Sequence, residues 1–135
     1  MHDTQNSQIQ NALPDLVEHV PAVVFRLSHT GENWHTWYVT RNIDVYGYQA
    51  EDFISGAISW LDIVHPDDRV LLNTTINDYE AHHINSFKPY YRLLTRDRES
   101  VPVTEYNTVK RDAEGRILCY DTCIVRNTQD EARRR

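Results

Sequence analysis

Glycine is scarce in this chain, with four in 135 residues. Phosphate-cradling loops and dinucleotide-binding turns need glycines in clusters, because the backbone must approach the ligand closely. No P-loop, no G-x-G-x-x-G turn and no G-x-S-x-G nucleophile elbow occurs. Cysteine is scarcer still, at two, Cys119 and Cys123. Four positions apart on one expected strand, their Cα atoms are separated by roughly 13 Å, beyond the ~7 Å that a disulfide spans. Basic residues are outnumbered, 14 Lys and Arg against 20 Asp and Glu, for a net charge of −6. That balance argues against a phosphate-neutralising nucleic-acid surface. The cationic run Arg133-Arg134-Arg135 is three charges at a chain end. No apolar run is long enough to insert in a membrane, and Met1-His2-Asp3-Thr4-Gln5-Asn6 lacks the basic head and apolar middle of a signal peptide. A cytoplasmic location is the expectation, and in that compartment the Asn73-Thr74-Thr75 sequon is a chance match.

What is present suits one domain with one core. The length falls in the range of a single domain that needs no disulfide or metal staple. Ile9, Leu13, Leu16, Val17 and Val20 follow helical spacing from Ser7 onward, with Pro14 interrupting and Pro21 closing the segment. Ala22 to Leu27 is a short apolar strand closed by Ser28-His29-Thr30-Gly31, and Thr36 to Thr40 is a second strand that completes a hairpin. Short helical pieces follow at Asn42–Tyr48, Gln49–Phe53 and Trp60–Val64. A longer helix runs from Pro66 to about His82, with Val70, Leu71, Ile76 and Tyr79 as its apolar positions. Extended runs then cover Phe87–Thr95, Val101–Lys110 and Ile117–Val125, and Gly115 supplies the positive φ of the last turn. The expected fold class is α+β, a five-stranded antiparallel sheet with the segment from Asn42 to His82 packed on one face and an amphipathic helix at the N-terminus.

Three segments at these joints resemble the PAS domain, a ligand-sensing and dimerising module of signalling proteins. Val20-Pro21-Ala22-Val23-Val24-Phe25-Arg26 is similar to the family's first strand. Trp37 to Tyr48, with Glu51-Asp52-Phe53, is similar to the stretch where a strand enters two short helices around a Gly-Tyr pair. Trp60-Leu61-Asp62-Ile63-Val64-His65-Pro66-Asp67-Asp68-Arg69 is similar to the family's helix-to-helix junction. The match runs from about Leu16 to Asn127, which divides the chain into residues 1–20, a PAS-like domain at 21–127 and a charged tail or linker at 128–135. Two departures stand out. The turn Asp97-Arg98-Glu99-Ser100 lacks a glycine, and Asn127-Thr128-Gln129 replaces the family's Asp-Ile-Thr signature.

The resemblance implies a non-enzymatic sensory module that binds a small molecule and controls a separate output of the histidine kinase or diguanylate cyclase type. That output would lie on a longer chain or on a partner. The alternative is a docking or dimerisation module with a filled core. Ligand identity is unreadable. Haem is disfavoured, because the position matching the family's helical histidine is Leu72, which cannot ligate iron. Photoactive flavin is disfavoured because both cysteines lie on the last strand rather than in the helical middle. The residues assign no catalytic group and no metal site. His65-Pro66-Asp67-Asp68 reads as a helix start, with proline at the first position and carboxylates against the positive dipole end. His82-His83 reads as a solvated helix end.

A ligand is expected between the sheet's inner face and the helical segment. Its candidate neighbours are Tyr46, Phe53 and Leu72 from the helices and Tyr91, Tyr106 and Cys123 from the sheet, Cys123 because the family tends to have a small residue near that point. The stripe Ile9, Leu13, Leu16, Val17 and Val20 has no place in that core. It is expected to pair with a second copy as a homodimer, or else to fold back on its own sheet.

Overall fold

Alternation of apolar and polar residues builds the sheet. In the computed structural model, which describes residues 22–30 and 33–127, β1 (Ala22–Thr30) buries Val23, Phe25 and Leu27 on one face. It pairs antiparallel with β2 (Asn33–Val39). The register shifts between Arg26, opposite Tyr38, and Leu27, opposite Thr36, so Trp37 is the extra residue of a β-bulge. The N-terminal stripe from Ile9 to Val20 and the tail 128–135 lie outside the described residues.

Among the described residues the sheet has six strands rather than the expected five. The extended run from Phe87 divides into β3 (Ser86–Phe87) and β4 (Tyr90–Leu94) around Lys88-Pro89. Proline has no N–H to give to a ladder, so pairing lapses there. The register nevertheless carries through, with Phe87 opposite Asn107 and Tyr90 opposite Thr104 on β5 (Ser100–Arg111). β6 (Ile117–Arg126) lies between β5 and β1, and every pairing is antiparallel. Gly115 has the expected positive φ of 84°, while in the glycine-free turn Arg98 itself takes φ 70°.

The helical segment crosses the inner face in short pieces with explicit starts and stops. A 3-10 helix, Arg41–Tyr46, ends at Gly47 with φ 92°. Helix α1 (Ala50–Ile54) opens with a Gln49/Asp52 capping box, and the 3-10 helix Trp60–Ile63 opens with a Ser59/Asp62 box. Helix α2 (Pro66–Ala81) starts as the sequence indicated. Pro66 occupies the first turn, Asp67 and Asp68 follow, and His65 accepts from the Asp67 N–H at 3.1 Å. Its buried positions differ from the expected stripe, for Val70 is 79% and Leu71 72% exposed. Leu72 and Ile76 are buried and Tyr79 packs partly against the core. A helix touching the sheet along one line buries only this i, i+4, i+7 row, which turns Val70 and Leu71 to solvent.

Both ends of α2 are tied to the sheet. Asp68 accepts the Arg92 backbone N–H at 2.8 Å and its guanidinium at 3.0 and 2.8 Å. Near the other end Glu80 bonds His29 of β1 at 2.7 Å, and the His29 ring stacks on Trp34. Asn127, in place of the family's aspartate, is buried at the end of β6, where its Oδ1 accepts from Thr104 Oγ1 at 2.7 Å.

Candidate functional site

Along β5 the residues Val101, Val103, Glu105, Asn107 and Val109 share the inner face, so a strand otherwise built of valine carries a carboxyl and an amide into the core. Glu105 is 0% exposed. Asn107 stands opposite Thr122 of β6, and Thr122 stands opposite Phe25 of β1, so Phe25, Thr122 and Asn107 form one row across the sheet.

The partners of Glu105 come from β4 and from β5 itself, and the Trp60–Ile63 helix extends the chain. Trp60 Nε1 donates to Tyr91 Oη at 3.3 Å, Tyr91 Oη donates to Glu105 Oε1 at 2.9 Å, and Asn107 Nδ2 donates to Glu105 Oε2 at 2.7 Å. Trp60 also meets the rings of Trp34 and Tyr91 edge-on, at 4.9 and 6.2 Å between centroids. Burial pushes the Glu105 carboxyl up to about 7, against the opposing hydrogen bonds from Asn107 and Tyr91. Burial, and then the Glu105 charge, drives the Tyr91 phenol well above its ordinary range. Three buried oxygens in this region find no hydrogen-bond partner among the described residues: Asn107 Oδ1, Thr122 Oγ1 and Tyr46 Oη. Tyr46 lies within electrostatic reach of Tyr91, and burial raises its own phenol. Native cores rarely leave such atoms unpaired, and Thr36 Oγ1, Arg111 Nη2 and Asn127 Nδ2 likewise find no partner among the described residues.

Of the sequence-derived pocket residues, Tyr46 and Tyr91 belong to this interior. Leu72 is buried on α2 and lines, with Tyr91, a groove between α2 and β4. Phe53 is buried farther along, edge-on to Phe25 at 5.4 Å and to Tyr48 at 5.8 Å. Tyr106 and Cys123 are corrected. They oppose one another in the β5–β6 register and lie on the outer face, where Tyr106 is 51% exposed under Lys88. The strand period is two, so a residue next to the inward Glu105 or the inward Ile124 must point outward. Sequence reasoning missed Glu105, Asn107 and Thr122, although the parity of Glu105 and Asn107 with the valines of β5 was a readable signal.

The outer face also exposes Trp37 and Tyr38. Arg26 and Asp121 pair across it at 2.7 and 2.9 Å. Among the described residues no group of three His, Cys, Asp or Glu side chains is placed to hold a metal ion, and no helix is long and apolar enough to cross a membrane.

Comparison with known proteins agrees with this architecture. The chain is 31% identical over 120 residues, 89% of its length, to the methyl sulfide methyltransferase-associated sensor of Methanosarcina acetivorans. It spans only 12% of that protein's length. The solved N-terminal domain of a diguanylate cyclase with a PAS/PAC sensor from Marinobacter aquaeolei superposes with a TM-score of 0.63 at 17% identity, covering 76% of this chain and 92% of that one. A sensory box histidine kinase/response regulator from Burkholderia thailandensis superposes with a TM-score of 0.64 at 14% identity, covering 90% and 88%. At these identities the two structures speak for the fold alone. The family model described as the PAS fold matches residues 36–124, and the chain belongs to the PAS family.

Proposed function

We propose that this PAS domain is a non-enzymatic sensory module that receives a small molecule between the sheet's inner face and the helical segment and relays its presence to a separate output. The observation that carries this reading is the buried polar row on β5 and β6, where Asn107 Oδ1 and Thr122 Oγ1 have no partner among the described residues beside the Glu105–Tyr91–Trp60 chain. A core with no ligand to receive would be more stable with apolar residues of similar shape at these positions. An output of the histidine kinase or diguanylate cyclase type is supported by the kinds of protein in which the similar folds occur. Two free thiols agree with a cytoplasmic setting. Native mass spectrometry of the purified domain, followed by a thermal-shift screen of small metabolites, tests the reading. Added mass, or a stabilising compound that perturbs the Trp60 indole resonance, supports it. A domain that no compound stabilises and whose interior amides exchange only by global unfolding argues for a filled docking module instead.

Dimerisation has its own supporting observation, the exposed aromatic residues Trp37, Tyr38 and Tyr106 on the outer face of the sheet. We assign that face to the stripe Ile9, Leu13, Leu16, Val17 and Val20 of a second copy. Replacing Leu13 and Leu16 by Glu should abolish the dimer in sedimentation with the fold intact. An unchanged dimer, or a monomeric parent, overturns the assignment.

A further inference from the structure

The interior polar row, taken as the sensing site proposed above, is short of anionic-ligand chemistry and rich in acceptors. Its N–H and O–H groups are largely committed within the row. The Trp60 indole goes to Tyr91, the Tyr91 hydroxyl to Glu105, and the Asn107 amide nitrogen to Glu105. What remains is mostly lone pairs. Asn107 Oδ1 accepts nothing among the described residues, and each Glu105 oxygen has accepted only one of the roughly two bonds it can take. The hydroxyls of Thr122 and Tyr46, also unpartnered, add two further acceptors with one rotatable proton each. Among the described residues no lysine, arginine or histidine forms an ion pair with Glu105.

We propose that this interior site selects a small organic amine in its ammonium form and rejects carboxylates of the same size. An ammonium head has three N–H donors and no acceptor, which complements Glu105, Asn107 Oδ1 and Thr122 Oγ1. Its charge meets a carboxylate taken out of water, where an ion pair with good hydrogen bonds can form. A carboxylate ligand would instead bring a second negative charge to a buried carboxyl, at a desolvation penalty that the hydroxyl protons of Thr122 and Tyr46 offset only in part. The same amine would draw the Glu105 proton off, because an opposite charge at hydrogen-bond distance favours the ionised acid.

Three matched series of probes decide the matter at equal ionic strength and pH 7.5: ethyl-, propyl- and benzylammonium chloride; sodium propionate, butyrate and phenylacetate; and propanol, butanol and benzyl alcohol. The full chain is titrated with each while the Trp60 indole N–H resonance and the melting temperature are followed. We expect at least one ammonium to shift the Trp60 signal saturably and raise the melting temperature. Its affinity should fall by 10-fold or more in Glu105→Gln and several-fold in Thr122→Val, a second variant that keeps the shape of the site. Binding of a carboxylate or an alcohol at Trp60 in preference to every ammonium overturns the amine assignment while leaving the sensor reading intact. Ammonium binding that is undiminished in both variants overturns it as well. If no series moves the Trp60 signal, the amine assignment and the interior-site reading fall together.

Discussion

Tyr91 Oη donates to Glu105 Oε1 at 2.9 Å while accepting from the Trp60 indole at 3.3 Å, so one phenol joins the 3-10 helix Trp60–Ile63 to two strands of the sheet. Tyr91 and Glu105 are both buried. Inside a core of effective dielectric far below water, such a chain holds its members strongly, and any one left unpaired is costly.

Glu105 should make the domain less stable as the pH rises toward neutrality. Burial raises its folded-state pKa from 4.5 to about 7. Between those values the folded protein holds a proton that the unfolded chain releases, so stability falls with increasing pH, by about 3 kcal/mol in all if nothing else titrates. Asp68, Asp112 and Asp121 act the other way, since their arginine partners and hydrogen bonds lower their pKa values. Their contribution is present above the ordinary carboxylate range and lost as the pH drops through the lowered values. The stability maximum is therefore expected on the acid side of neutrality. Urea unfolding at pH 5, 6, 7 and 8 should show the decline in the parent and little of it in Glu105→Gln. An equal slope in both would exclude Glu105 as the cause.

Removing the Tyr91 hydroxyl tests the chain itself. Tyr91→Phe leaves the Trp60 indole without its acceptor and takes one donor from Glu105. Two broken buried bonds predict a loss of about 2–3 kcal/mol in unfolding free energy. Because the Tyr91 bond lowers the Glu105 pKa, the variant should also titrate Glu105 at higher pH. A carbon-detected NMR titration of the glutamate carboxyl reads this directly, and an unmoved titration would mean the bond is weak in solution.

Much of this fold was legible because its local rules agree with one another. Proline at the start of α2, carboxylates in its first turn and a glycine ending the Arg41–Tyr46 helix each give one answer. The interior site was harder to read. Tyr106 and Cys123 looked like pocket residues because they are, respectively, aromatic and small, but parity along the strand puts both outside. Glu105 and Asn107 were passed over because polar residues on strands usually face water, and only their alternation with Val101, Val103 and Val109 betrays them. The break at Lys88-Pro89 was signalled by the proline itself. On α2 the apolar stripe pointed to Leu71 and the resemblance to Leu72, and Leu72 is the buried one, since the helix offers apolar residues on more than one side and packing decides between them.

The clamp between Asp68 and Arg92 should hold α2 against β4. Three hydrogen bonds converge on one carboxylate, two from the guanidinium and one from the backbone. The pair is partly exposed, which limits its worth. Asp68→Asn keeps the shape but loses the charge, and should cost about 1 kcal/mol in unfolding free energy. Faster amide exchange in the first turn of α2, with β1 and β6 unchanged, is the expected local signature. A uniform effect across the sheet would show that the clamp does not act locally.

Two glycines with similar backbone angles separate conformational strain from steric contact. Gly47 and Gly56 have φ of 92° and 86°, in the region where a side chain is disfavoured. A Cβ at Gly56 would meet nothing within 4 Å, whereas at Gly47 it would come within 2.8 Å of the Cβ of Arg96. That contact is tight because the Arg96 N–H bonds the Tyr46 carbonyl at 2.9 Å, locking the start of the β4–β5 turn onto the end of the 3-10 helix. Gly56→Ala should therefore cost only the left-handed strain, about 1 kcal/mol. Gly47→Ala should cost more, about 2–3 kcal/mol, since the hairpin must also move. Paired denaturant curves give the difference. Equal losses in the two variants would mean that the hairpin yields freely and that the lock at Arg96 contributes nothing to the fold.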